Sequence, residues 1–529
     1  MNAIRKDTSD ALACYAAMKS HDARFDGRFF VAVSSTRIYC RPVCRVKIPK
    51  FENCRFFDLA AQAESQGYRP CMRCRPELAP RNLPWTMQDA SSTLALQAAR
   101  WLDEPTAWQD RQPSINQLAT HLGVSDRHVR RIFETHFGVS PLQYLQTRRL
   151  LTAKQLLTDT DLPTSHIAIA SGFGSVRRFS DAFLTHYRLN PSQLRKTARS
   201  ADASTESSTS TVKNNLSFCS AKLSYRPPYD SRQMLDFFRK RQLNTTEFIA
   251  ENAYNKPAIW TFSLHSGDKL HTGWLSVEFL KDRPIVLLKV SDSLRGVLPQ
   301  VIRQVRALLD LDADPMAINT VLKNSFVTGD SNDEDDAGRL AGIRMPGCLN
   351  GFELAVRAIL GQQVTVAAGR TFTQRVVDAF GSDIKTPIPG LTRLFPTAET
   401  LAAASPEALG QLGIVKQRQA AMVTLARAVA SKELVLNPGV NIAATMAKLR
   451  ELPGVGDWTA QYIAMRALRW PDAFVAGDVA LHKAMGLQHQ IPPLSPVKTA
   501  AAALAASQAW RPWRSYAVMR AWTSLSKPT

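Results

Sequence analysis

The chain has 529 residues, with 66 Lys+Arg against 45 Asp+Glu and a formal net charge of +21. That length is too great for one hydrophobic core and predicts three or four domains; no run of about 18 apolar residues occurs, which excludes a membrane-spanning helix, and the N-terminus MNAIRKDTSD lacks the apolar segment of a secretion signal. Residues 1–200 hold 29 Lys+Arg and 17 Asp+Glu, a surplus of +12 that leaves +9 for the remainder, so basicity is spread over several domains, as binding to a polyanion such as nucleic acid requires.

Eight cysteines in such a chain are expected in a reducing cytosol, where close spacing points to metal or thiol chemistry before disulfides. Two close pairs stand near the N-terminus: Cys40 and Cys44, then Cys71 and Cys74, with 26 residues between the pairs. Each pair can sit on one knuckle and four thiolates complete a tetrahedron, so this is a zinc signature. Four-cysteine sites usually only staple a small domain. Here Arg37, Arg41, Arg45, Lys47, Arg69, Arg73 and Arg75 crowd the cluster, which places the thiolates beside DNA phosphate. Cys14, Cys54, Cys219 and Cys348 have no partner at ligand spacing and read as packed residues.

Residues 1–80 resemble the Ada-type N-terminal domain, whose Cys-Arg-Pro-x-Cys and Arg-Pro-Cys-x-Arg-Cys motifs both recur. The resemblance implies that Cys40, the first ligand, accepts a methyl group from a methylphosphotriester in DNA. Methylation would then lower the cluster's negative charge and strengthen DNA binding, a charge switch.

After a soft stretch at 81–89, INQLATHLGVSDRHVRRIFETHFGVSP carries Ala119, a turn at Gly123, and apolar Val129, Ile132 and Phe133 on one helical face. This is a helix-turn-helix pattern that leaves Ser125, Arg127, His128 and Arg131 free to meet DNA. HIAIASGFGSVRRFSDAFLTHYRLNPSQLRK repeats it, with Gly172, Phe173, Phe179 and Phe183 as framework and Arg177 and Arg178 on the open side. Asp181 is an odd acid for that face and receives no base contact. Joined by a long helical pattern, the two copies resemble the AraC-type DNA-binding domain.

The tract SADASTESSTSTVK at 200–213 has almost nothing to bury and reads as a linker. Strand-like stretches (AIWTFSLHSG, TGWLSVEFL, PIVLLKV) then alternate with helical patterns at 231–240 and 297–311, a small α+β unit. GDSNDEDDAG at 329–338 reads as a solvated acidic insertion. From 351 onward nearly every segment has helical period.

Within that helical part, Leu452-Pro-Gly-Val-Gly-Asp-Trp lies between helical patterns at about 441–451 and 459–469. Gly454 and Gly456 permit positive φ and close backbone approach, so amides at the start of the second helix can hold a phosphate. This is a helix-hairpin-helix element, and Asp478 follows it across a short loop. From 223 to about 525 the chain resembles AlkA-type 3-methyladenine DNA glycosylases: YRPPYD, MPGC, RAILGQQVTVA, LPGVGDWTAQY and WRPWRSYAVMRAW are the matching runs.

That resemblance implies Asp478 as catalytic carboxylate, with Asp472 a solvated or capping acid. It also implies Trp458, Tyr462 and Trp522 as the pocket for a flipped base, and Gln362 and Gln363 as the segment entering DNA. Gln363 stands where a leucine wedge is familiar, which puts the efficiency of flipping in question. Trp510 and Trp513 read as core packing. Trp458 replaces the lysine of bifunctional lyases, so base release without strand cleavage is expected, and no cofactor is expected for this half. No Pro-Cys-His-Arg segment of the alkylguanine-DNA methyltransferases occurs.

The expected fold is multidomain, mainly α with α+β parts: a small four-cysteine zinc domain (1–80), a tandem helix-turn-helix domain (88–198), a polar linker (199–215), an α+β subdomain (216–330) and an all-α helix-hairpin-helix glycosylase domain (331–529). The expected function combines excision of alkylated purines with a methylation-sensing transcription regulator. Its cofactor is one Zn²⁺. Its partners are double-stranded DNA, both alkylated and promoter, with RNA polymerase as the further partner of an activator and no membrane. The rival readings are a regulator whose C-terminal half only binds damage, and a glycosylase whose N-terminal half only targets it.

Overall fold

The computed structural model describes residues 8–81, 90–103, 114–203, 218–251, 256–267, 269–323, 325–326, 340–487 and 495–525. Residues 82–89 of the soft stretch 81–89, the acidic insertion 329–338 and the linker beyond residue 203 lie outside them. The start of the expected linker is helical instead, because the helix Pro191–Ala203 runs through it. No helix among the described residues is long and apolar enough to cross a membrane.

The N-terminal module is a four-stranded sheet in the order β3-β1-β2-β4, with β1 Phe30–Val33, β2 Ile38–Cys40, β3 Cys54–Phe57 and β4 Arg69–Pro70. Alternation puts Phe30, Ala32, Tyr39 and Phe57 into one small core and Phe29, Val31, Cys54 and Phe56 into another. Strands β2 and β4 pair in parallel, Ile38 opposite Arg69 and Tyr39 opposite Pro70. Both strands thus deliver their next cysteine to the same end of the sheet.

Two helix-turn-helix units follow. Ile115–Leu122 and Asp126–Phe137 form the first, and Thr164–Ala170 and Val176–Tyr187 the second, joined by Pro141–Asp159. Ser125 and Ser175 cap the two recognition helices through their hydroxyls. The turn glycines Gly123 and Gly172 have φ of +69° and +81°, a region that favours glycine.

The α+β part is an antiparallel five-stranded sheet, β5-β9-β8-β7-β6, formed by β5 Phe218–Ser224, β6 Glu247–Phe248, β7 Ala258–Ser266, β8 Lys269–Phe279 and β9 Ile285–Ser291. Strands β5 and β6 were not among the expected ones. Its apolar face, with Leu223, Trp260, Val277 and Leu288, belongs to a single core that also holds Phe179 and Phe183 of the second recognition helix and Ile463 and Val518 of the helical part. The tandem helix-turn-helix domain, hereafter the reader, and the helical part therefore pack into one body, although a polar tract separates them in sequence.

The join between modules is polar and buried. Arg226, with no exposed surface, donates to the carbonyls of Asp26, Pro80, Arg81, Asp312 and Ala313. Lys154 meets Glu77 at 2.6 Å and Arg75 meets Asp159 at 2.6 Å, while Asp159 also accepts from the Lys222 amide. Five side chains and one amide thus tie the zinc module, the reader and the sheet together.

Candidate zinc centre and base-excision site

The four sulfurs of Cys40, Cys44, Cys71 and Cys74 lie within 4.8 Å of one another. A tetrahedron with Zn–S bonds of about 2.3 Å needs sulfurs about 3.8 Å apart, so the set fits a zinc ion. The cause is the parallel pairing of β2 and β4, which brings Cys40 and Cys71 side by side. Cys40 retains 8% exposure. The Arg41 amide donates to Cys74 Sγ at 3.3 Å, a contact that orients a ligand from outside the metal shell.

Two of the basic residues expected beside DNA phosphate are engaged in internal ion pairs instead. Arg41 is buried in an ion pair with Asp26 and also bonds the Cys74 carbonyl at 3.0 Å and Ser224 Oγ at 3.2 Å. Arg75 is held between Glu77 and Asp159. Their positive charge is taken up by Asp26 and Glu77 of the same module and by Asp159 of the helix-turn-helix domain. Arg37, Arg45, Lys47 and Arg73 are exposed, and Arg69 is half-buried.

On the reader, Arg127, Arg131, Arg177 and Arg178 are exposed and His128 is half-exposed, with Arg131 bonded to His128 Nδ1 at 3.1 Å. Asp181 pairs loosely with Arg177 at 4.0 Å.

The hairpin forms as the sequence indicates, with Ile442–Glu451 and Asp457–Arg466 flanking the turn. Gly454 has φ +80°, and a Cβ there would meet the Ala421 Cβ at 2.9 Å, so a side chain is excluded twice over. Gly456 differs from the expectation. Its φ is −77°, and it serves as N-cap with open space around its Cα, which leaves the helix amides approachable.

Asp478 caps the short helix Val479–Ala484 through Oδ1, which accepts from the Leu481 amide at 2.7 Å. Oδ1 also accepts from the Trp522 indole at 2.9 Å, and Oδ2 accepts from the Trp458 indole at 3.1 Å. A carboxylate offers about four acceptor positions, so one remains on Oδ2. The Trp458 and Tyr462 rings are stacked at 5.1 Å and 9°, and Tyr462 meets Trp522 at 6.4 Å and 45°. The three aromatics and Asp478 line one cleft of about 1280 Å³ together with Gly454, Gly456, Gln362 and Gln363. That is larger than an ordinary small-molecule site and suits a polymer whose one unit is turned inward.

Asp472 is not solvated. It has no exposed surface and lies between Arg511 and Arg514, at 3.0 and 2.7 Å, because the loop folds inward there. Gln362 also turns inward, toward the hairpin. Trp510 packs on Phe326 and Phe474, as expected of a core residue.

Sequence reasoning missed Arg466. Its guanidinium donates to the Tyr462 hydroxyl at 2.5 Å and to the carbonyls of Pro346 and Gly347. Burial acts to raise the Tyr462 phenol, but the charges of Arg466 and Arg241 outweigh it and hold the group below its ordinary value. The available signal was spacing: 458, 462 and 466 fall at i, i+4 and i+8 on one helical face.

Comparison with known proteins accords with these modules. Residues 13–77 match the metal binding domain of Ada, 118–197 a helix-turn-helix domain, 220–350 the AlkA N-terminal domain, and 356–509 the HhH-GPD superfamily base excision DNA repair protein. The Mycobacterium tuberculosis (strain H37Rv) "Probable bifunctional transcriptional activator/DNA repair enzyme AlkA" is 36% identical over 518 residues, 97% of this chain and 96% of that protein. "DNA-3-methyladenine glycosylase 2" of Escherichia coli K12 is 31% identical over 304 residues, 57% of this chain and 95% of that protein. "Bifunctional transcriptional activator/DNA repair enzyme AdaA" of Bacillus subtilis 168 is 28% identical over 189 residues, 35% of this chain and 82% of that protein. The chain therefore belongs to the family of Ada–AlkA fusion proteins, in which an Ada metal-binding domain and a helix-turn-helix domain precede an AlkA-type domain of the HhH-GPD superfamily.

Proposed function

We propose that this protein is a DNA glycosylase and transcription regulator in one chain. It excises alkylated purines such as 3-methyladenine and 7-methylguanine, and it senses methylphosphotriesters by methyl transfer to Cys40. The observation that carries the first part is the Asp478 carboxylate, held by two indoles and an amide at the edge of the hairpin cleft.

Excision requires the nucleotide to leave the stack. A base between two rings needs about twice the 3.4 Å stacking distance. Trp458 and Tyr462, 5.1 Å apart, leave no such slot, so the base lies against an outer face of their stack. An alkylated purine is cationic, and aromatic faces favour it by about 0.5–2 kcal/mol. Its charge makes it a good leaving group, so no acid is required. Asp478, fixed beforehand by its donors, stabilises the positive charge that develops on the sugar and orients water through its remaining acceptor position. Position 458, a tryptophan, offers no amine for a Schiff base, so the product is an abasic site in an intact strand.

Zinc bound by the four cysteines keeps the Cys40 sulfur an available thiolate at neutral pH. Cys40 Sγ attacks the methyl carbon of the triester; the S–C bond forms, the C–O bond breaks, and the phosphodiester anion leaves. Nothing restores the thiol, so the transfer occurs once per chain. The lowered negative charge of the cluster then strengthens DNA binding, and the tandem reader, with Arg127, Arg131, Arg177 and Arg178, holds promoter DNA where RNA polymerase can be recruited. The zinc and the DNA glycosylase are separate centres, and the glycosylase half uses no cofactor.

Incubation of the intact protein with methylated duplex DNA tests both parts at once. The expected products are free alkylated purines, alkali-labile abasic sites without nicks, and one methyl group on the peptide containing Cys40. Nicked strands would contradict the monofunctional reading. A methyl group on another cysteine would contradict the assignment of Cys40.

A further inference from the structure

Gln362 and Gln363 follow the helix Gly351–Leu360 and form the loop that leads into the helix Val366–Phe380. Gln363 is exposed and has φ +55°, the left-handed region that a non-glycine residue holds only when its surroundings fix it. Gln362 supplies much of that fixing. Its amide nitrogen carries two hydrogens, and both are engaged: Nε2 donates to the Gly454 carbonyl at 2.9 Å and to Thr459 Oγ1 at 2.9 Å. Its main-chain carbonyl accepts from Arg418 on the helix Lys416–Ala430. That same helix presents Ala421 to the crowded side of Gly454. Thr459 is buried and adjoins Trp458.

The loop tip, the hairpin turn and the pocket wall thus meet at one side-chain amide. Pressing a base out of a duplex requires that the inserting element push against something fixed to the same DNA. On the glycosylase reading the hairpin amides would hold a phosphate, and the tip at Gln363 would enter the stack. We propose that Gln362 is a positioning residue for base extrusion: its amide braces the loop tip against the hairpin, so that insertion at one point works against the phosphate grip at the other. The proposal rests on the glycosylase reading for its purpose, but the brace itself has a readout that excision does not share.

The test uses the full-length protein, Gln362→Ala, and Gln362→Glu, which keeps size and shape but cannot donate to Gly454 or Thr459. The substrates are a duplex carrying 7-methylguanine opposite cytosine and the same lesion in an unpaired bulge, each with 2-aminopurine beside the lesion. Fluorescence of the 2-aminopurine reports extrusion and single-turnover kinetics reports excision. Both variants are expected to lose about 10–100-fold in extrusion and excision on the paired duplex, as follows from losing two hydrogen bonds, and to stay within about threefold of wild type on the bulge. Equal losses on both substrates, or wild-type behaviour of Gln362→Glu, would overturn the proposal. Wild-type protein that extrudes but releases no base would overturn the glycosylase reading instead, and a fluorescence loss confined to the variants on paired DNA would still support the brace.

Discussion

The Trp458 indole donates to Asp478 Oδ2 at 3.1 Å while the same ring lies stacked on Tyr462. In the proposed function one side chain therefore serves two needs, a donor that fixes the carboxylate and a face for the extruded base. Trp458→Phe separates them, because phenylalanine keeps a flat ring and loses the N–H. A hydrogen bond to a charged group is worth about 1.5–3 kcal/mol. Trp458→Phe is expected to lower the single-turnover excision rate by about 10–100-fold with little change in KM, since the ring face remains. A change in KM alone would show that the indole N–H has no part in the chemistry.

The two aspartates of the loop 471–478 should behave oppositely. Asp472 is buried between Arg511 and Arg514, and Asp472→Asn strands two guanidinium groups at a cost of about 3–5 kcal/mol. A lower Tm with residual activity proportional to the folded fraction is expected. Asp478→Asn keeps the helix cap and should change Tm far less.

Glu64 offers a test by pH. It is buried where three elements meet, accepting from Tyr39 at 2.9 Å, from Thr147 at 2.7 Å and from Tyr187 at 3.5 Å. Burial raises its pKa from the ordinary 4.5 to about 7, against those hydrogen bonds and the charge of Lys154. A folded pKa above the unfolded one means that the native state holds the proton more tightly. Stability is then greatest below the ordinary value and is lost as pH rises through about 7, by about 3 kcal/mol in all. Unfolding midpoints in urea at about pH 5 and about pH 8 check this: Glu64→Gln should flatten the difference and be the more stable protein at the higher pH. Parallel profiles would contradict it.

The zinc module should be inseparable from the rest of the chain. Cys71→Ser is expected to abolish stoichiometric zinc by elemental analysis and to lower Tm, because the cluster anchors the loop that carries Arg75 and Glu77. Arg226→Ala should have a related effect without touching the metal ligands. It removes a guanidinium shared by five carbonyls, at a cost of about 3 kcal/mol, and should expose the segment 78–81 to proteolysis while zinc is retained.

Much of this was legible because it is local. The close spacing within each pair, Cys40 with Cys44 and Cys71 with Cys74, the turn glycines of both reader units, and the hairpin at 452–457 are each set within a few residues. Asp478 drew attention because it follows that hairpin in the order that the resemblance to AlkA-type glycosylases implies. What could not be read depends on contacts between distant segments. Arg41 and Arg75 look like phosphate ligands by type, and only the approach of Asp26 and Asp159 makes them struts. Asp472 and Asp478 are alike in sequence; the difference is that Arg514 lies 42 residues beyond the first and Trp522 lies 44 beyond the second. The amide of Gln362 could have faced DNA or the hairpin, and the Gly454 carbonyl, 92 residues away, decides it.

The most direct test of the central claim compares single-turnover release of 7-methylguanine from methylated duplex DNA by the full-length protein and by Asp478→Asn, with the affinity of each for abasic DNA measured alongside. Release by the wild type, lost by about 10²-fold or more in the variant with abasic-site affinity retained, is the result this account predicts. Equal release by both proteins would remove Asp478 from the chemistry, and binding without release by either would reduce the C-terminal half to a damage-binding module.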